Sequence, residues 1–215
     1  MFIEFQYDLN KDIENYIAVA RAKYKGGDSK ILNLFTEKFG EDLNSDNLGK
    51  FIKEFIEDNK IDLNQSVKHI QESWSLVENE FFNRMKKIFG CPPPANPIQV
   101  YLTTNDRCTY AKSFFFVNVL STRPKRIIMH ELLHLCTCLV FKDELSKLDK
   151  ESAYNIKETL TELLNLEFSD LIEEYEKGYP QHLKYRELMR QYWLENKNIK
   201  HVFDKLIFSI KKSDT

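Results

Sequence analysis

Residues 125–141 read as one helix that is apolar on nearly every side, because Ile127, Ile128, Met129, Leu132, Leu133, Leu135, Cys136, Leu139, Val140 and Phe141 leave almost no polar face. A helix of this kind has to be buried, and His130, Glu131 and His134 go into the interior with it. Buried imidazoles and a buried carboxylate are costly unless something neutralises and satisfies them. The two histidines stand at i and i+4, so they project from one helix face and can converge on one ion. Glu131, one step after His130, lies beside that ion without needing to bind it. The stretch His130-Glu131-Leu132-Leu133-His134 is therefore the H-E-x-x-H spacing that a zinc site with an adjacent general base requires. A chain with five histidines produces such a match by accident on the order of 1% of the time, so the surrounding sequence has to supply the rest of a site.

The chain before this helix falls into two parts. Residues 2–7 alternate apolar and polar and read as a short strand. Helical spacing then predicts helices over 11–24, 30–39, 45–58 and 65–89, with Gly26-Gly27-Asp28 and Gly40 as stops. No chemistry is visible in these first 90 residues; their Phe and Ile stripes are core. Cys91-Pro92-Pro93-Pro94-Ala95-Asn96-Pro97 cannot be helical, and after it the period changes to about two. Residues 98–102 and 110–120 read as strands, with 103–109 as the turn between them, and Pro124 suits the first turn of the motif helix. The expectation is an α+β chain of one two-lobed domain over 1–215: a mainly helical N-terminal region over 1–90, then a region over 97–215 with a small mixed or antiparallel sheet and the motif helix.

Two histidines leave a metal short of ligands. Residues 153–175 read as a further helix carrying Glu158 and Glu162 at i and i+4, among Ile156, Leu160, Leu163 and Leu164. That setting favours a metal-site role for this pair, whereas Glu167, Glu173, Glu174 and Glu176 read as a solvated acidic face.

With these residues in place, the sequence resembles a zincin metallopeptidase of the gluzincin kind, in which H-E-x-x-H is completed by a glutamate on a following helix. The resemblance covers roughly residues 98–175. A metzincin is excluded, since its longer motif needs glycine at Thr137 and histidine at Val140, and no G-x-M-E-N exopeptidase signature is present. In thermolysin-like peptidases the glutamate ligand is followed one turn later by an acid that hydrogen-bonds the first histidine. Glu158 and Glu162 fit those positions, and the two can exchange roles.

The resemblance implies zinc held by His130, His134 and Glu158, Glu131 as the base that activates water, and Glu162 orienting His130. It also implies a zincin-like fold and an edge strand, here running from Ser113 to Asn118, that binds a peptide or protein substrate by strand addition. A donor to the oxyanion is expected after the ligand helix, with His182 or Tyr179 the favoured residues. The alternatives are a zinc-binding regulatory or partner-binding module without activity, and a helical scaffold in which the motif is accidental; the presence of Glu131 argues against the former.

Composition narrows the partners. The 31 basic and 33 acidic residues give a net charge of -2, with no long run of one sign, so nucleic acid is not expected as a partner. Four cysteines are too few and too scattered for a disulfide framework. The first residues show neither a basic nor an apolar leader segment, and no apolar stretch is long enough to span a bilayer; no membrane association and a cytoplasmic location are expected.

Overall fold

The computed structural model describes residues 2–22, 29–90, 92, 94–111 and 113–213. The helix stop expected at 26–28, and Cys91 and Pro93 of the proline-rich break, lie outside these residues. The chain is α+β and divides into two compact units, each assembled from two stretches: Met1–Leu76 with Pro94–Pro124, and Val77–Pro93 with Lys125–Thr215.

Among the described residues the first unit holds a three-stranded sheet and four helices. Strands β1 (Ile3–Tyr7), β2 (Ile98–Thr103) and β3 (Phe114–Asn118) lie in the order β1-β2-β3. Both pairings are parallel, Phe5 opposing Val100 and Val100 opposing Phe115. The helices are α1 (Leu9–Ala22), α2 (Lys30–Phe39), α3 (Ser45–Asp58) and α4 (Leu63–Ser75). Ser29, Asn44 and Asp62 each accept a hydrogen bond from a first-turn amide and so start α2, α3 and α4. Tyr16, Phe35, Leu48 and Ile52 form a buried cluster with Phe51, whose ring meets Phe35 edge-on at 5.5 Å.

The parallel sheet corrects the expected mixed or antiparallel one, and the cause lies at the end of β2. Thr103 and Thr104 do not turn back; their hydroxyls and the Thr104 amide donate to the buried Asp12 carboxylate of α1, at 2.5 to 3.2 Å. Asn15, one turn on, donates to Thr103 Oγ1 and to the Arg107 carbonyl and accepts from the Thr109 amide. The loop is thereby led past β3 before it reverses. Tyr110 forms an antiparallel bridge with Phe115, and the Ala111 and Phe116 amides donate to the Phe114 and Thr109 carbonyls. The outer edge of β3, expected to take a substrate strand, is thus partly occupied by its own chain.

The second unit holds α5 (Glu78–Phe89), α6 (Pro124–Val140), α7 (Lys142–Leu145), α8 (Lys150–Leu160), α9 (Leu163–Glu167), a 3-10 turn at Pro180–His182, α10 (Leu183–Glu195) and α11 (Ile199–Ser213). Its core includes Ile156, Leu160, Leu163, Leu164, Met189, Trp193, Val202 and Leu206, all buried. α6 is the apolar helix expected, although Leu139 near its end is 70% exposed.

Two expected helices are each broken in two. The one over 65–89 divides into α4 and α5 at Leu76 and Val77, where Val77 leaves helical geometry (φ -122°, ψ -13°) and Glu78 and Glu80 begin a new first turn. The one over 153–175 ends at Leu160: the Glu162, Leu164 and Asn165 amides bond three residues back, to Thr159, Thr161 and Glu162, and helix resumes only as α9. In both places the apolar period continues across the break, so the pattern does not reveal it. Among the described residues no disulfide joins Cys108, Cys136 or Cys138, and no helix is long and apolar enough to cross a membrane.

Candidate metal centre

α6 starts at Pro124, and the Lys125 and Arg126 amides donate at 3.0 Å to the two carboxylate oxygens of Glu173, which caps the positive end of the helix. One turn further, His130 and His134 point the same way, their rings 4.5 Å apart at 83°. α8 starts where Asp149 accepts from the Glu151 and Ser152 amides and delivers Glu158 near its end. Glu158 Oε1 lies 3.3 Å from His134 Nε2, and Glu158 Oε2 lies 3.7 Å from His130 Nε2. One donor atom from each of His130, His134 and Glu158 lies within 4.8 Å of the others. Donors about 2.0–2.1 Å from a tetrahedral zinc sit roughly 3.3 Å apart, so the three fit such an ion with small adjustments.

The charges fit a cation as well. Burial, and then the neighbouring His134, push His130 down to about 4, which leaves its lone pair available at neutral pH. Burial works against the charge of Glu158, but the hydrogen bond and charge of His134, followed by His130 and His182, outweigh it and hold the carboxyl at about 2. Burial pushes Glu131 up to about 7. Its Oε2 is buried with no hydrogen-bond partner among the described residues, a cost that no contact within the fold offsets.

No family model, curated protein or solved structure matches this chain. The reading of the centre rests on its own geometry.

Two acids do not stand where the sequence suggested. Glu162 was expected to orient His130, but the tightened turn after Leu160 takes it off the face of Glu158, and its carboxylate is held by Arg186 at 2.7 Å and Arg190 at 2.5 Å. The acid beside His130 is Glu176, with Oε1 3.9 Å from His130 Nδ1; it is buried, not solvated. Its other oxygen pairs with Arg126, one helical turn before His130. Burial opposes its charge, and His130, Arg126 and the Gly178 amide outweigh that and hold Glu176 below the ordinary carboxylate range.

His182 is fully buried, with Nε2 3.0 Å from Asn155 Oδ1 on α8. It is near enough to help depress Glu158. The Tyr179 ring is half-buried and 5.9 Å from that of His182. Glu176, Arg126, Asn155 and Arg186 carry no motif. Arg186, four per cent exposed and buried on α10 alongside Met189 and Trp193, is the kind of anomaly a sequence shows only after the helix is oriented.

Proposed function

We propose that this chain is a zinc-dependent metallopeptidase, gluzincin-like, with zinc held by His130, His134 and Glu158. The observation that carries this reading is the convergence of those three side chains from two helices beside a buried Glu131 oxygen with no hydrogen-bond partner among the described residues. Zinc bound there supplies Lewis acidity and activates water toward a carbonyl. Glu131 has two tasks: its oxygen accepts the proton of the attacking water, and it returns that proton to the leaving amine of the peptide. Glu176, 3.9 Å from Nδ1 of His130, favours the tautomer with the proton on that side, which leaves Nε2 for the ion. His182 is the preferred donor to the developing oxyanion, with Tyr179 as its neighbour. Peptides or proteins are the substrates, and a cytoplasmic location goes with this reading.

A purely structural or regulatory metal site has no use for a buried acid at position 131. The test is metal analysis and a peptide-library digest of the wild type and Glu131→Gln. Bound zinc in both, with cleavage by the wild type alone, is the expected result. A wild type without zinc, or equal cleavage by the variant, overturns it; zinc without cleavage in either leaves a binding module.

A further inference from the structure

The two acids that follow the motif helix divide their work through an arginine. Arg186 is buried, and its planar head meets four groups at once. Nη1 donates to Thr161 Oγ1 at 2.6 Å and to the Glu158 carbonyl at 3.3 Å; Nη2 donates to the Glu176 carbonyl at 2.7 Å and pairs with Glu162 Oε2 at 2.7 Å. Thr161 Oγ1 in turn donates to the Glu158 carbonyl at 2.6 Å. Asn165 repeats the link: its Nδ2 donates to Glu162 Oε2 and to the Glu176 carbonyl, and its Oδ1 accepts from the Glu176 amide. The end of the helix that carries Glu158 and the segment that carries Glu176 are therefore tied to one guanidinium. Gly178 passes against its stem with φ +65°, and a Cβ there would stand 2.8 Å from Arg186 Cδ and Nε.

We propose that Arg186 is a positioning residue of the metal centre, fixing the backbone of Glu158 and of Glu176 in one frame so that the third ligand and the acid beside His130 are presented together. This rests on the metal reading above. Glu162 is the counter-ion that makes a buried guanidinium tenable, so it serves His130 at one remove. Lysine cannot substitute, because a single nitrogen lacks the planar fork that reaches Thr161 and the Glu176 carbonyl together.

The experiment measures affinity for zinc by chelator competition, and the visible spectrum of the cobalt form, for the wild type, Arg186→Lys and Gly178→Ala. Gly178→Ala displaces the guanidinium without removing its charge. Both variants are expected to bind zinc roughly 10- to 100-fold more weakly and to shift the cobalt spectrum, a signature that lost stability alone does not move. Coupling is reciprocal, so zinc is also expected to slow hydrogen exchange at the Glu176 and Gly178 amides of the wild type about tenfold. Folded variants with wild-type affinity and spectrum overturn the proposal, and so does exchange at those amides that ignores zinc. If neither variant folds, the exchange comparison decides. A wild type that binds no zinc overturns the metal reading and this proposal with it, whereas zinc bound equally by all three overturns this proposal alone.

Discussion

His134 Nε2 and Glu158 Oε1 stand 3.3 Å apart, already at the spacing of two donors on one tetrahedral ion, although they come from different helices. An ion that enters therefore meets a site with little left to reorganise. At a hundred times its Kd, zinc is expected to raise the melting temperature of the wild type by roughly 5–10 °C, since such binding contributes about 2.7 kcal/mol. Glu158→Ala should lose most of that rise while keeping its helices, as read by thermal melts with and without chelator.

On the metallopeptidase reading, Glu131 should separate binding from turnover. Glu131→Gln keeps the shape of the side chain and all three ligands, so its zinc affinity should stay near that of the wild type. Its kcat should fall by about 10² to 10⁴ with a much smaller change in KM, as expected when a proton-transfer group is removed. Steady-state kinetics on the best peptide from a library digest measures both.

Asp12 makes stability depend on pH far from the centre. Burial raises its carboxyl to about 6, despite the opposing hydrogen bonds of Thr103, Thr104 and Tyr7. A folded pKa above the unfolded one means that the folded state binds the proton more tightly, so this group favours folding below the unfolded value and loses that contribution as pH rises through about 6. Compared with Asp12→Asn, the wild type should gain up to roughly 3 kcal/mol between pH 7 and pH 4. Urea denaturation of both proteins at the two pH values gives the difference.

Phe203 stacks on Phe141 with centroids 3.8 Å apart and planes 8° apart, both rings fully or almost fully buried. The pair joins the residue after α6 to α11. Phe203→Ala is expected to cost about 3–5 kcal/mol, seen as a lower urea midpoint.

Where local chemistry decides, the chain could be read to the residue. α2 and α3 match their expected limits because Ser29 and Asn44 cap them and Gly40 ends the first. The apolar run of α6 betrayed the helix and the burial of Glu131 and His134 on it. The direction of the sheet was not legible, since strand period is the same either way and the deciding contacts join Asp12 and Asn15 to residues about ninety positions on. Glu158 was legible as a buried acid from its apolar neighbours. Glu176 was not, because it sits in the acidic run Glu173-Glu174-Tyr175-Glu176 and its partners, Arg126 and His130, lie near fifty residues upstream.

The pairing of Ile3 with Ile98 has a consequence for biosynthesis. β1 leaves the ribosome before β2, its partner strand, which is made about ninety residues later, some 5–20 s at ordinary elongation rates. For that interval Ile3 and Phe5 belong to a nascent strand with no partner. The helices α1 to α4 are made within that interval, and α4 packs on β1, so among the described residues these helices are at hand to cover the strand while translation continues.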